Sequence, residues 1–348
     1  MYLVAGTQAD QPQNNEIQIM KLSQLHKTYK SPSQLNNNDD DSDSDSDDDI
    51  VDEDPLLEHR SLPTNGGTNR IRVHQATNNN SIIAASWSEL GKVHLWNLQS
   101  SYNSLSQTGF TMDGKTEKPI YTVKSHRDEG FGLAFSAEGQ LLSGDNQGKI
   151  FLTQPTSSHY TTSPQAFSSH SSNSVEDIQW SPSEKSVFAS VSSSGSLHIH
   201  DIRTPTRNKS AINVKASQVD VNVLSWNTII PYLMVTGDDM GATKVWDLRQ
   251  FKKDNSGNGA TVAEFEWHKA AVTSIEWCPN EESTFASSGA DEQVCLWDLG
   301  TEEDDEEQPT SADLKHIPRQ LMFIHQVFST RRLRLISGTK RCQRIEMA

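Results

Sequence analysis

Cysteine is scarce in this chain. Only Cys278, Cys295 and Cys342 occur among its 348 residues. Their number is odd, and their positions form no CxxC pair or other spacing typical of metal ligands. The sequence therefore excludes a scaffold built on disulfides and favours a protein that works in a reducing compartment.

Long apolar runs are missing as well. No stretch approaches the ~18 consecutive apolar residues that a membrane-spanning helix needs, and only 34% of the residues are hydrophobic. Residues 1–6 lack the basic and apolar regions of a signal peptide. We therefore expect no membrane partner and a nuclear or cytosolic location.

Motifs that carry catalysis or bind cofactors are also missing. The sequence has no P-loop, no GxGxxG motif and no GxSxG elbow, and its 12 histidines show no zinc-type spacing. We therefore expect no enzyme, no cofactor and no metal site. His198 and His200 alternate along one predicted strand, and we interpret His200 as a packing residue.

A repeated strand ending is the strongest pattern that the sequence contains. It reads VHLWNL at residues 93–98, TKVWDLR at 243–249 and VCLWDL at 294–299, with weaker copies at 17–22, 150–153 and 197–203. From residue 96 to residue 297, the Trp position recurs at intervals of 46 to 57 residues. A period of about 40–50 residues with a Trp-Asp ending is typical of β-propeller blades, each a four-stranded sheet.

We therefore predict an all-β WD-repeat propeller with about six recognisable blades. Residues 1–29 would hold the first propeller strands, 30–55 a disordered acidic Ser/Asp-rich insert and 56–326 the blades. Ser-rich loops are predicted at 99–118 and 154–169. Residues 327–348 show no blade pattern and form an atypical basic tail.

A His, a Ser or Thr, and an Asp recur in the repeats. In the clearest copy the sequence suggests His268, Ser288 and Asp291. Such a trio resembles a hydrolase triad, but a nucleophile would occur once, on an exposed strained turn. We interpret the trio as a buried hydrogen-bonded network that ties the strands of each blade to its Trp.

The net charge of −16 is concentrated in two acidic tracts. Residues 39–54 hold eleven carboxylates and residues 302–307 hold six more, which leaves 29 acidic residues against 30 Lys and Arg elsewhere. Such polyanions favour very basic protein partners and repel nucleic acid; the alternative is a solvating linker that binds nothing. The predicted protein-binding residues are Asp39, Asp40, Asp41, Asp43, Asp45, Asp47, Asp48, Asp49, Glu302, Glu303, Asp304, Asp305, Glu306 and Glu307.

Three serines in the first tract are candidates for phosphorylation. Ser42, Ser44 and Ser46 each lie three residues before an Asp, the pattern of acid-directed serine kinases. Each phosphate would add a charge of about −1.5 to −2 to the tract.

Several segments also carry a family resemblance. Residues 2–8 and 19–28 resemble the opening segment of histone-binding WD-repeat proteins of the retinoblastoma-binding type. A narrower resemblance, to the glutamate-rich WD-repeat family of ribosome assembly, rests on residues 57–59, 63, 66–73, 87–93, 143–145 and 220–249. It covers roughly residues 2–326. It implies a seven-bladed propeller in the nucleus and nucleolus that chaperones a basic large-subunit ribosomal protein and binds histones.

The chain departs from that family at several places. In the histone-binding relatives, a late acidic loop followed by two prolines helps to hold a basic histone helix; residues 302–307 and the single Pro318 occupy that place here. Family members carry an acidic extension and a strand before the position of Met1. Residues 327–348 hold six Lys or Arg and one Glu. We interpret this tail as a splice or frameshift artefact rather than a genuine basic tail, and expect the ring to lack its closing strands.

The leading functional hypothesis is a non-enzymatic scaffold or chaperone, monomeric within its complexes, that binds ribosomal proteins or histones in large-subunit biogenesis. A second hypothesis is a substrate receptor of a cullin ubiquitin ligase. It rests on Asp247 and Arg249, and on Asp201 and Arg203, which resemble the W-D-x-R motif of such receptors; the plain alternative is that both arginines merely follow a blade strand. A third is a chromatin histone-binding subunit, which would prefer histones over ribosomal proteins.

Overall fold

The structure is a computed structural model that describes residues 1–25, 55–76, 81–106, 118–204, 206–251, 260–301 and 317–326, and the backbone of 342–345. Its strands form six antiparallel sheets of four strands each. The prediction of an all-β WD-repeat propeller with six recognisable blades is thereby confirmed.

Each sheet is one blade, and the blades follow one another along the chain. Blade 1 contains β1 (Tyr2–Gly6), β2 (Asn15–Ser23), β3 (Leu56–Thr64) and a strand from the far end of the chain, β24 (Cys342–Ile345). Blade 2 contains β4 (Thr68–Ala76), β5 (Ser81–Ser88), β6 (Lys92–Asn97) and β7 (Tyr121–Val123). Blade 3 contains β8 (Gly132–Phe135), β9 (Leu141–Gly144), β10 (Ile150–Pro155) and β11 (Tyr160–Thr162).

The last three blades have the most regular strands. Blade 4 contains β12 (Val175–Trp180), β13 (Val187–Ser192), β14 (Ser196–Asp201) and β15 (Ile212–Lys215). Blade 5 contains β16 (Val221–Trp226), β17 (Leu233–Asp238), β18 (Ala242–Asp247) and β19 (Thr261–Glu266). Blade 6 contains β20 (Val272–Trp277), β21 (Thr284–Gly289), β22 (Gln293–Asp298) and β23 (Leu321–Gln326).

The first strands of neighbouring blades contact one another, so they line the centre of the arrangement. Contacts join β4 to β8, β8 to β12, β12 to β16 and β16 to β20. In blade 1, both β24 and β1 contact β4. The apolar cores lie between blades: Val223, Val235 and Val245 of blade 5 pack with Phe285 and Trp297 of blade 6, for example. Burial between sheets is thus the main apolar stabilisation of the ring.

The two predicted Ser-rich loops contain regular structure that the sequence analysis missed. Helix α1 (Gln99–Ser106) lies in the first loop, and β11 lies in the second. The helix packs on blade 1, because Leu105 is buried in a cluster with Val4 and Ile17. Arg60 Nε on β3 also donates to Ser104 Oγ at 3.0 Å. Tertiary contacts therefore stabilise a helix that its Ser-rich sequence does not favour.

Residues 342–345 correct the expectation of a tail without strands. They pair antiparallel with β1, and Gln343 lies opposite Val4. An edge strand presents unpaired N–H and C=O groups that an extended segment of almost any sequence can satisfy. The pairing therefore requires no repeat motif, and this is why the repeat pattern did not indicate it. The rest of the tail, like the predicted disordered insert up to residue 54, lies outside the described residues.

One face of blade 6 is exposed. Leu296 and Phe323 are 37% and 54% exposed. Their counterparts in blade 5 are Val245, which is 0% exposed, and Ala263, opposite it on β19. In blade 5 this face packs against the next blade, whereas in blade 6 it leaves apolar side chains open to solvent.

Candidate functional site

Blades 3 and 6 each contain a His–Asp–Ser network. In blade 3, His126 Nδ1 lies 2.7 Å from Asp145 Oδ2, and its Nε2 lies 2.7 Å from Ser143 Oγ. In blade 6, His268 Nδ1 lies 3.0 Å from Asp291 Oδ1, and its Nε2 lies 2.8 Å from the Oγ of Ser287. Each network connects the loop before the first strand of its blade to the second strand.

The serine of the blade 6 network is Ser287, which corrects the sequence-based choice of Ser288. Neighbouring residues of a strand point to opposite faces of the sheet. Ser288 accordingly faces away from His268, and its Oγ lies 3.1 Å from Thr273 Oγ1. The sequence places both serines side by side and does not distinguish between them.

The network hydroxyls are closed off from solvent. Ser143 is 0% exposed and Ser287 is 1% exposed, and both lie inside strands rather than on exposed turns. A Trp side chain extends the blade 6 network, because Trp297 Nε1 donates to Ser287 Oγ at 2.9 Å. Trp96 and Trp246 donate in the same way to Ser86 Oγ and Thr236 Oγ1. This geometry supports a stabilising role of the networks rather than a catalytic one.

Blade 4 is the exception among these networks. His200 stands in place of the Trp, and Ser192 stands two residues after Ser190, where blades 3 and 5 have Asp145 and Asp238. His170 Nε2 lies 2.7 Å from Ser190 Oγ, which lies 3.0 Å from His200 Nε2. Burial lowers the pKa of His200 to about 3 and that of His198 to about 4, and holds the pKa of His170 well below its usual range.

These three histidines form a cluster that the sequence analysis did not find. One ring nitrogen from each of His170, His198 and His200 lies within 4.8 Å of the other two. His170 comes from the loop before β12, whereas the other two lie on β14. Their spacing along the chain matches no metal-binding motif. The sequence signals were that one repeat had lost both its Trp and its Asp, and that His198 and His200 alternate along one strand.

A second group that the sequence did not indicate lies on the central strands. Arg70 of β4 is 2% exposed, and its Nη1 donates to Asp177 Oδ1 of β12 at 2.6 Å. Asp177 Oδ2 also accepts from the backbone N–H of Leu224 in blade 5 at 3.3 Å. One carboxylate thus connects blades 2, 4 and 5. Burial, followed by the neighbouring charge of Arg70, lowers the pKa of Arg72 to about 10.

The two Asp–Arg pairs form local ion pairs at strand ends. Arg249 Nη2 lies 2.8 Å from Asp247 Oδ2, and its guanidinium stacks 3.5 Å from the centre of the Tyr232 ring. Arg203 Nη2 lies 2.6 Å from Asp201 Oδ2. The side chains of Arg249 and Arg203 are nevertheless 62% and 69% exposed. The Arg249 hydrogen bond lowers the pKa of Asp247 to about 2.

Comparison with known proteins identifies the family. Residues 161–201 and 259–298, in the regions of blades 4 and 6, match the family described as "WD domain, G-beta repeat". Ribosome assembly protein rrb1 of Schizosaccharomyces pombe is 46% identical over 331 residues, which cover 93% of this chain and 66% of that protein. Protein HEAT STRESS TOLERANT DWD 1 of Arabidopsis thaliana is 38% identical over 353 residues, which cover 94% of this chain and 73% of that protein.

A third relative agrees with the resemblance in the sequence. Glutamate-rich WD repeat-containing protein 1 of Dictyostelium discoideum is 44% identical over 221 residues, which cover 62% of this chain and 44% of that protein. The chain belongs to the glutamate-rich WD-repeat family. One of its relatives, covered over 66% of its length, is thus named for ribosome assembly.

The acidic residues predicted to bind proteins in this glutamate-rich WD-repeat chain lie outside the described residues. This holds for both acidic tracts and for Ser42, Ser44 and Ser46. The strands on either side of each tract are described, however. The first tract lies between β2 and β3, and the second lies between β22 and β23. In the described residues, no helix has the length and apolar character needed to cross a membrane.

Proposed function

We propose that this glutamate-rich WD-repeat protein is a non-enzymatic scaffold that holds a basic client during large ribosomal subunit assembly in the nucleus and nucleolus. The client would be a ribosomal protein or a histone. One observation carries the proposal: both acidic tracts occupy the same topological position in their blades.

That position is the connection between the third and fourth strands, counted from the centre, which we name the outer connection. Blade 1 has the order β24-β1-β2-β3 and blade 6 the order β20-β21-β22-β23. The tracts therefore lie in the outer connections of these two blades. Successive connections of an antiparallel sheet alternate between its two ends. Because the blades stand side by side with their first strands at the centre, all outer connections leave from one face of the ring.

The charge distribution supports binding at that face. The seventeen carboxylates of the tracts account for the whole net charge, since the remaining chain has 29 acidic and 30 basic residues. A concentrated negative field attracts a basic client over about 8 Å at physiological ionic strength. Two tracts on one face would hold such a client from two sides of it.

The test measures the affinity for a basic ribosomal protein and for a histone at several salt concentrations. One variant replaces residues 302–307 by Gln and Asn, and a second replaces the Asp residues of 39–49 by Asn. The matched control removes six charges from exposed blade positions instead, by Glu→Gln at Glu138, Glu184, Glu264, Glu266, Glu281 and Glu282.

We expect each tract variant to lose at least about tenfold in affinity at low salt, with a weaker salt dependence than the parent protein. The control variant should lose less than about threefold. Equal losses in tract and control variants would contradict a role of the tracts, and failure of the intact protein to bind either client would overturn the proposed function. A clear preference for histones would favour the chromatin alternative.

A substrate receptor of a cullin ubiquitin ligase is the second candidate, and the exposure of the two arginines favours it. Arg203 and Arg249 begin the outer connections of blades 4 and 5, so they lie on the face from which the outer connections leave. Arg249→Ala and Arg203→Ala should abolish capture of a ligase adaptor, whereas Arg127→Ala, which removes an exposed arginine outside the motif, should not. Unchanged capture by both motif variants would exclude this function.

A further inference from the structure

We propose that His170, His198 and His200 of blade 4 bind one divalent transition-metal ion of the zinc class. The proposal goes beyond the scaffold function and does not depend on it. It rests on three observations. Three buried imidazoles lie close together, two of their nitrogens lack a hydrogen-bond partner among the described residues, and a cleft reaches the cluster.

The cluster has the composition of a three-histidine metal site. Imidazole nitrogen is the preferred ligand of Zn²⁺ and its neighbours in the first transition row, and three protein ligands leave a fourth position for water. The three side chains are 2%, 3% and 1% exposed for His170, His198 and His200. Their rings already lie together: the centroids of His170 and His198 are 4.2 Å apart, and those of His198 and His200 are 5.9 Å apart.

Two buried nitrogens in the cluster lack a hydrogen-bond partner among the described residues. They are His170 Nδ1 and His200 Nδ1. The other nitrogen of each ring, Nε2, shares the hydroxyl of Ser190. A hydroxyl has a single proton, so it donates to at most one of the two rings. Ser169 Oγ also lies 3.4 Å from His200 Nε2. In either tautomer each ring leaves a lone pair or an N–H group at Nδ1 without a partner among the described residues, and an unsatisfied buried polar group costs about 1–3 kcal/mol.

The repeat pattern explains why these nitrogens have no partner. In blade 3 the Nδ1 of His126 is satisfied by Asp145, whereas blade 4 has Ser192 at the corresponding position. In blades 2, 5 and 6 an indole fills the position of His200 and donates to the strand hydroxyl. Blade 4 thus has a hydroxyl in place of the acid and an imidazole in place of the indole, and the Nδ1 atoms of His170 and His200 are left without a partner among the described residues.

A metal ion can reach the cluster from solvent. An open cleft of about 470 Å³ extends to His170 and His198, and Ser194, Asn213 and Lys215 also line it. The ammonium group of Lys215 is held by the backbone oxygen of Ser194 at 2.6 Å. Tetrahedral coordination with metal–nitrogen distances of about 2.0–2.1 Å places the nitrogens about 3.3 Å apart. The three rings must therefore close in by rotation from their present separation of up to 4.8 Å.

The test adds Zn²⁺, and Co²⁺ as a spectroscopic probe, to the full chain without a histidine tag. Three variants decide the outcome. His198→Gln removes one ligand, and His200→Trp removes another while introducing the residue that blades 2, 5 and 6 have at this position. His94→Gln is the matched control, because His94 lies two residues before Trp96 in blade 2, as His198 lies two residues before His200 in blade 4. Both histidines also place Nδ1 about 3 Å from a hydroxyl of the fourth-strand region, at 3.0 Å and 2.9 Å respectively.

We expect one equivalent of Zn²⁺ to bind to the parent protein and to His94→Gln, and to raise the thermal unfolding midpoint of both. His198→Gln and His200→Trp should lose at least about tenfold in affinity and show no such rise. Bound Co²⁺ should give the visible absorption of tetrahedral nitrogen coordination. Equal uptake by all four proteins would place the ion elsewhere, in the acidic tracts for example, and would overturn the proposal. No uptake by the parent protein would overturn it as well.

Discussion

Single carboxylates stabilise individual blades through their buried networks. Asp145 is 1% exposed; it contacts His126 and also accepts from the backbone N–H groups of Gln147 and Lys149. Asp145→Ala removes the partner of the buried His126 ring and the acceptor of these two partly buried N–H groups, and an unsatisfied buried polar group costs about 1–3 kcal/mol. We therefore expect the free energy of unfolding in urea to fall by more than about 2 kcal/mol.

The control for this substitution is Asp201→Ala. Asp201 makes its hydrogen bonds to exposed Arg203 at the surface of blade 4, where ion pairs contribute little. No measurable change of the urea midpoint is expected. A similar loss of stability in both variants would show that burial of the network does not determine how much it stabilises the blade.

The pH dependence of Asp247 offers a second test on one side chain. The hydrogen bond from Arg249 lowers its pKa from the ordinary 3.8 to about 2. Because the folded-state pKa is depressed, the pair stabilises the fold above about pH 4, and this stabilisation is lost as the pH falls towards about 2. In Arg249→Ala the pKa of Asp247 should return close to 3.8, as followed by NMR of the carboxyl carbon. The pKa of Asp201 should not change in that variant, since its own partner Arg203 remains.

Helix α1 provides a prediction for a single element. Leu105 is 2% exposed, and its cluster joins the helix to blade 1. Leu105→Ala would leave a cavity and should lower the free energy of unfolding by about 2–4 kcal/mol. Asn103→Ala changes an exposed position of the same helix and should stay within about 0.5 kcal/mol. Denaturation in urea measures both, and equal effects would mean that the helix does not dock through Leu105.

The sequence predicted those strands whose local residue pattern reflects their packing in the folded blade. In blade 6 the alternation around Trp277 and the Trp-Asp ending at Trp297 both arise from packing against blade 5, so the pattern indicated the strands directly. Helix α1 and β24 have no such pattern, because one depends on contacts with blade 1 and the other on the free edge of β1. The histidine cluster escaped prediction for a related reason: its members lie on a loop and a strand that only the folded blade brings together.

At the scale of the whole molecule, buried charge and surface charge have different roles. Arg70 and Asp177 connect blades across the centre, whereas the net negative charge belongs to the acidic tracts at residues 39–54 and 302–307. Under the proposed function, the central pair would keep the blades in place while the tracts exchange clients. Outside the tracts the chain has 29 acidic and 30 basic residues, so the charge of its body is nearly neutral.

The exposed face of blade 6 leads to the last prediction. Leu296 and Phe323 pair across β22 and β23 and are 37% and 54% exposed. Adjacent exposed apolar side chains on a sheet promote association between molecules. Leu296→Thr combined with Phe323→Thr should therefore lower the binding of the dye ANS and slow concentration-dependent aggregation, measured by light scattering, with little change in the urea midpoint. Thr is suited to this test because it is β-branched and favours strands, while it reduces the apolar area.

The matched control substitutes the opposite face of the same blade. Phe285 is 0% exposed and packs against Trp277 and Trp297. Phe285→Thr should destabilise the blade by about 3–5 kcal/mol, in the range of large-to-small changes in a core, and should increase ANS binding because the core opens. If the double substitution at Leu296 and Phe323 instead destabilised the protein as strongly as Phe285→Thr, that face would be buried in solution. Another surface would then have to cover this face in the folded protein. The apolar side chains of β22 and β23 would belong to an interface between blades rather than to an open face.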